Sequence, residues 1–399
     1  MSKQIIFCAD GTWNGPADQA SMTDVDAAAQ TDADLSDGVT NVVKLFANIG
    51  GQVTAATSAL HNETEKELKD PAGQLSQIAK YMHGVGDSNN PVMKVLGGVF
   101  GAGVIARIVR GYTFISRNYV AGDSIHILGF SRGAYTARAL AGMIASVGVL
   151  NPRCCNPDDK SQAYLMGLAA WLKCKGIVFS GNNNLSSLLT SLAAFAGKAV
   201  SGVVLHKDDL IPGVRIKSVA VWDTVGSMGI PKYVDGSRSD FFSFIDKNLS
   251  PLVDGAFHAM ALDERRLDFP VTRWNADRRV EQVWFVGAHS DVGGGYAASQ
   301  SGLSDIALDW MMQKLSGVGI QFTVPPGHPP DLTRFEQNFH TPWTKIPFNI
   351  GEIAREPEAG DVFHPSVVQH WKASASYQKL WPRGFWSRPG NSKDDLRSG

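Results

Sequence analysis

Short apolar runs, each ending in turn-forming residues, alternate along this chain with longer stretches in which apolar positions recur at helical spacing. Gln4 to Ala9 is a run of β-formers that stops at Asp10-Gly11-Thr12-Trp13-Asn14, which predicts a strand and a tight turn. Ala17 to Gly38 has no periodicity and reads as an exposed loop, and Thr40 opens a helix through Phe46. Ala79 to Gly86 predicts a second strand, Gly97 to Asn118 a helix, and Ser124 to Phe130 a third strand that breaks into an alanine-rich helix. From Asn151 to Ile211 the alternation is lost, which predicts an inserted helical cap or lid, with Leu185 to Leu205 as its apolar part. Val214 to Val221 and Val280 to Val286 resume the strand pattern, Ala256 to Leu262 predicts a helix around His258, and Ser304 to Leu315 predicts another. Proline and aromatic residues dominate thereafter. Strands alternating with helices in this way predict an α/β fold with a mainly parallel central sheet flanked by helices. The expected organisation is a catalytic unit over residues 1–325, carrying the insertion at 151–211, and a C-terminal extension over 326–399 packed on it.

Charge and cysteine content narrow the function classes. The 399 residues carry 37 Lys and Arg against 38 Asp and Glu, a net charge of −1, with no basic block of the kind that binds nucleic acid. Four cysteines are too few for a disulfide scaffold, and none lies in a metal-binding spacing, so no metal and no cofactor are expected. The first residues hold no Sec-type signal, which predicts synthesis in the cytoplasm. Val92 to Val109 and Leu185 to Leu205 approach membrane-spanning length, but Lys94, Arg107 and Lys198 interrupt them and suggest amphipathic helices instead.

The sharpest chemical feature is Gly129-Phe130-Ser131-Arg132-Gly133 between a strand and a helix. This is the context a nucleophile elbow requires, because small residues on both sides of the serine let the backbone turn tightly and expose its hydroxyl. The following helix directs its positive end toward the reacting oxygen. In open α/β sheets reacting groups gather beyond the carboxyl ends of strands, which makes Asp10, Ser131, Asp223, His289 and Asp291 candidates. Serine, acid and histidine in that chain order give Ser131, Asp223 and His289. Among ten histidines, His289 follows a strongly patterned strand after the nucleophile, and His364 is its rival. Asp291, two residues beyond His289, is poorly placed to pair with it and suits a helix cap or a loop-amide acceptor. An oxyanion hole is expected from the backbone of Arg132 with Gly11 or Thr12. A phosphate-binding loop is excluded by the absence of its motif.

Six ordered motifs together resemble a known family. They are Asp10 to Asn14, Thr40 to Val43, Gly129 to Arg138, Val221 to Gly226, His258 to Arg266 and Trp284 to Tyr296, spread from Ile5 to Met312. The set is similar to a bacterial and fungal α/β-hydrolase family whose best-known members are the first class of type VI secretion lipase effectors. The resemblance implies an α/β-hydrolase fold and phospholipase activity, usually of the A type, through a triad that maps onto Ser131, Asp223 and His289. It also implies a phospholipid or membrane-surface substrate, delivery by a type VI apparatus into a target cell, and secretion-apparatus and immunity proteins as partners. No separate membrane-docking or spike-adaptor domain is evident in this chain. Leu185 to Leu205, and Trp371, Tyr377, Trp381, Phe385 and Trp386 interleaved with Lys372, Lys379, Arg383 and Arg388, suit either a bilayer surface or ordinary packing. Two alternatives stay open: an esterase or thioesterase for small soluble substrates, and a non-catalytic binding module on a hydrolase scaffold.

Overall fold

The computed structural model describes residues 2–11, 38–57, 63–83, 99–155, 159–176, 205–225, 247–267, 269–334, 336, 338–344 and 351–381. Its strands are β1 (Gln4–Ala9), β2 (Gln52–Val53), β3 (Glu63–Lys69), β4 (Leu75–Met82), β5 (Ser124–Phe130), β6 (Val149–Leu150), β7 (Leu210–Ile211), β8 (Ser218–Trp222), β9 (Ala256–Ala261), β10 (Val280–Phe285) and β11 (Val362–Phe363). The helices are α1 (Asn41–Asn48), α2 (Val99–Asn118), α3 (Arg132–Val147), α4 (Lys160–Cys174), α5 (His289–Gly293), α6 (Gly302–Gly317), α7 (Pro365–Ala373) and α8 (Ala375–Leu380). The main sheet runs β11-β10-β9-β8-β5-β1-β4-β3-β2. Neighbours from β11 through β4 are parallel, and β3 and β2 add an antiparallel edge.

A parallel sheet covered on both faces needs apolar residues at consecutive positions, and β1 and β8 are continuous buried runs for that reason. Successive side chains point to opposite faces. Ile5 and Phe7 of β1 join a core with α2, α3 and α4, whereas Ile6 and Cys8 join a second core with α1 and α6. A third cluster, with Met260, Trp284, Val367 and Tyr377, seats α7 and α8 on β9 and β10. The resulting architecture is α/β-hydrolase-like: a mostly parallel central sheet flanked by helices.

Three elements differ from the sequence expectation. Within the Ala256 to Leu262 segment expected as helix, Ala256–Ala261 is strand, because it lies between β8 and β10, where both faces are covered and backbone pairing overrides alanine's helical preference. Within it, His258 accepts from Thr224 N at 3.1 Å through Nε2. The acidic and basic run Glu63 to Lys69 forms β3, a strand that apolar alternation alone did not indicate. Its charges are satisfied by Lys80, whose Nζ lies 2.7 Å from Glu63 and 3.1 Å from Glu65, and by Arg117, which pairs with Glu65. The strand expected at Ala79 begins four residues earlier, at Leu75, and ends at Met82.

Within residues 151–211, α4 buries Leu168 and Trp171 in the first core and brings Gly167 against Val109 and Thr113 of α2. The apolar stretch to residue 204 lies outside the described residues, as do most of the 17–38 loop, Phe385 and Trp386. Tyr377 and Trp381, in contrast, turn inward: the Tyr377 hydroxyl and the Trp381 indole N–H both donate to Asp263, at 2.9 and 2.8 Å.

Close approach of β1, β5 and α3 fixes the middle of the sheet. A Cβ on Gly133 would sit 2.1 Å from Ala9 O and 2.6 Å from Asp10 O, and one on Gly129 would sit 2.3 Å from Gly133 O. These obstacles are backbone atoms, which cannot swing aside. Gly133→Ala is therefore expected to lower the unfolding free energy by about 2 kcal/mol or more. Urea denaturation monitored by circular dichroism checks this, and an unchanged midpoint would contradict it.

Candidate active site

Ser131 joins β5 to α3 with φ 57° and ψ −122°, a region that non-glycine residues enter only under constraint. Its N–H donates to Trp222 O at 3.1 Å and its carbonyl accepts from Tyr135 N at 3.2 Å, so the turn is pinned on both sides. Asp223, one residue past β8, also has positive φ, at 36°. It is fully buried, and its N–H donates to Ala259 O at 2.8 Å while Oδ1 accepts from Ala261 N at 3.0 Å. His289 opens α5 after β10, and its Nδ1 lies 2.6 Å from Asp223 Oδ2. In neutral imidazole that contact places the proton on Nδ1 and leaves Nε2 as the basic nitrogen. Nε2 is buried without a hydrogen-bond partner among the described residues. The ring of Phe130, the residue preceding Ser131, lies 4.5 Å from the His289 ring, and Phe269 meets that ring edge-on at 5.1 Å.

Asp223 has a second partner that nothing in the sequence indicated. Arg355 Nη1 donates to Oδ1 at 2.6 Å and Nη2 to Oδ2 at 3.0 Å. Burial alone would raise the pKa of Asp223, but the Arg355 charge and the His289 contact reverse this and hold the carboxyl well below the usual carboxylate range. Burial lowers the pKa of His289, with the Asp223 contact opposing. Glu264 accepts from His289 N at 3.1 Å and from Arg266 through both oxygens, fixing the start of α5.

The remaining candidates are placed as follows. Asp291 accepts from Ala288 N and from His340 N, both at 2.9 Å, and its other oxygen lies 2.6 Å from His340 Nδ1. It thus caps α5 and ties it to His340. His364, past β11, is separated from β8 by β9 and β10, stacks on Phe285 and accepts from Ser366 N at the start of α7. Arg132 is the first residue of α3, where backbone amides have no partner within the helix. Gly11 N donates to Asp10 Oδ1 at 2.7 Å, and Thr12 lies outside the described residues. No group of three or more His, Cys, Asp or Glu is placed to hold a metal ion among the described residues.

Asp10 is itself unusual. Its Oδ2 accepts from the Tyr81 hydroxyl at 2.6 Å and from Thr40 Oγ1 at 2.9 Å, while Thr40 caps α1 by accepting from Val43 N. Burial pushes the Asp10 carboxyl up to about 6, against the lowering effect of these donors. The unfolded chain releases this proton near pH 4 and the folded one only near pH 6, so the group's contribution to stability declines as pH rises through that window and is constant above it. The unfolding free energy of wild type minus that of Asp10→Asn is therefore expected to fall by about 2–3 kcal/mol between pH 4 and pH 7. Paired urea titrations at several pH values check it, and a difference that stays constant would contradict it.

Comparison with known proteins places the chain. Residues 3–314 match the family described as the catalytic domain of Tle1-like phospholipase effectors of the type VI secretion system. An uncharacterized protein of Saccharomyces cerevisiae is 29% identical over 235 residues, which are 56% of this chain and 30% of that protein. Among solved structures, an uncharacterized protein from Pseudomonas aeruginosa aligns with a TM-score of 0.43 and 17% identity, over 82% of this chain and 47% of that one. The Tle1 effector bound to the VgrG spike aligns with a TM-score of 0.36 and 18% identity, over 76% of this chain and 53% of that one. This chain spans less than two thirds of the length of each of these relatives. With the match covering most of its length, the chain belongs to the Tle1-like phospholipase effector catalytic-domain family.

Proposed function

We propose that the protein is a serine hydrolase that cleaves the carboxylic esters of phospholipids, with Ser131 as nucleophile, His289 as general base and Asp223 as the acid that orients it. The observation that carries this reading is the buried Asp223–His289 contact, which leaves His289 Nε2 unpartnered among the described residues while the ring packs 4.5 Å from that of Phe130, the residue before the strained Ser131.

In this mechanism Nε2 takes the Ser131 proton as the hydroxyl oxygen attacks the ester carbonyl. The tetrahedral oxyanion is held by the Arg132 amide at the positive end of α3, with Gly11 or Thr12 as the second donor, and the Asp10 carboxylate competes for the Gly11 amide. His289 returns the proton to the leaving alcohol, and a water activated by the same nitrogen releases the acyl group from Ser131. Asp223 compensates the imidazolium formed in each half-reaction.

Membership of a phospholipase effector family favours a membrane lipid as substrate, A-type cleavage, delivery by a type VI apparatus, and spike and immunity proteins as partners. No helix among the described residues is long and apolar enough to cross a membrane.

Fatty-acid release from mixed phosphatidylethanolamine and phosphatidylglycerol vesicles tests the reading. Ser131→Ala and His289→Ala are each expected to reduce release by about a thousandfold or more, and Asp223→Asn to a similar degree, with the fold retained by circular dichroism. Release that persists in Ser131→Ala would refute it. Activity on soluble p-nitrophenyl esters without vesicle hydrolysis would keep the triad and replace the lipid. Because His289 works as neutral imidazole and burial lowers its pKa, kcat/KM is expected to hold as pH falls through 6.5, the ordinary histidine value, and to decline only below it. A pH profile on a soluble ester checks this, and a decline that begins above pH 7 would contradict it.

A further inference from the structure

Arg355 lies beyond residues 3–314, the part of the chain that matches the family, in a segment between Gly351 and β11 without regular secondary structure. Its side chain is nonetheless more than nine-tenths buried, and every hydrogen bond it makes is aimed at the candidate active site. One nitrogen, Nη1, donates to Asp223 Oδ1 and to Ala261 O, at 2.6 and 2.7 Å. The other, Nη2, donates to Asp223 Oδ2 at 3.0 Å and to Phe269 O at 2.7 Å. The segment that delivers it is anchored beside the site, with Ile353 N donating to Arg265 O at 2.9 Å.

A carboxylate buried as deeply as Asp223 needs a compensating charge, and neutral His289 does not supply one. Arg355 does, and its planar fork engages both carboxylate oxygens, so the carboxylate cannot rotate away from His289 Nδ1. We infer that Arg355 is a positioning residue of this centre, locking the plane of Asp223 so that Oδ2 faces His289 and balancing the charge against which His289 is protonated. The inference rests on the triad reading above and adds to it a residue supplied by the C-terminal extension.

The charged surroundings make the expected direction definite. His289 faces Asp223 from the end of β8 and Arg266 and Glu264 from the segment after β9, where Glu264 and Arg266 pair with each other. His258 of β9, which accepts from the N–H of Thr224, feels Asp223, Arg138 and Arg355. Removing the guanidinium charge leaves Asp223 to be compensated by an imidazolium alone, which favours protonated His289. A lysine keeps the charge and loses the fork.

The test compares wild type, Arg355→Met and Arg355→Lys by two measurements. Nuclear magnetic resonance titration of the His289 ring, its resonance assigned by loss in His289→Ala, reads the charge balance without any turnover. The pH profile of kcat/KM on p-nitrophenyl butyrate reads its consequence. In Arg355→Met the His289 midpoint and the acid limb are both expected to rise by about one pH unit, with turnover at the optimum about tenfold lower. In Arg355→Lys the midpoint stays near wild type while turnover still falls. A His289 midpoint unmoved in Arg355→Met would overturn the inference, and so would a fully active Arg355→Lys if the methionine variant does not fold. Failure of the wild type to hydrolyse any ester would instead refute the proposed function, and the titration would still decide the role of Arg355.

Discussion

One buried negative charge organises this candidate site. Asp223 sits just past the end of β8 and is fully buried, and such a charge persists only where partners surround it. Its backbone N–H is bound by β9, one oxygen accepts from Ala261 N, and the side chain is gripped by Arg355 and by His289. These partners come from β9, the start of α5 and the C-terminal segment, so satisfying the carboxylate brings together parts of the chain far apart in sequence. The direction of the His289 ring, and with it the base at Nε2, follows from that requirement.

The serine side is held by packing instead of charge. Gly129 and Gly133 leave no room for a side chain where β1, β5 and α3 converge, and the strained dihedrals of Ser131 survive because those contacts over-determine them. A second close approach acts on the histidine side, where a Cβ on Gly293 would lie 2.0 Å from the Phe130 ring. Phe130 is thus wedged between α5 and the His289 ring and links the elbow to the base. The two halves of the site are coupled through this aromatic contact as well as through the sheet.

Legibility in the sequence followed locality. The elbow could be read because its glycines, strand and helix are contiguous, and the runs ending at Val221 and Val286 stand out because their last residues are consecutive apolar positions of buried strand. The Ala256 to Ala261 strand misled because its alanine and methionine content favours helix, and only the neighbours on either side decide otherwise. Glu63 to Lys69 carries no strand signal of its own, since the ion pairs that make a charged strand acceptable come from Lys80 and Arg117, distant in sequence. Arg355 and His340 lie in proline-rich, aperiodic chain where no pattern distinguishes a buried partner from a solvated cation. Their roles become visible only when Asp223 and Asp291 are seen to need them.

The central claim is that the elbow presents Ser131 as a nucleophile activated by His289. Covalent trapping tests it most directly: the protein is treated with a fluorophosphonate probe, and the modified peptide is mapped by mass spectrometry. A single adduct on Ser131 is expected, its formation strongly slowed in His289→Ala. An adduct on another residue, or labelling of Ser131 that does not depend on His289, would contradict it.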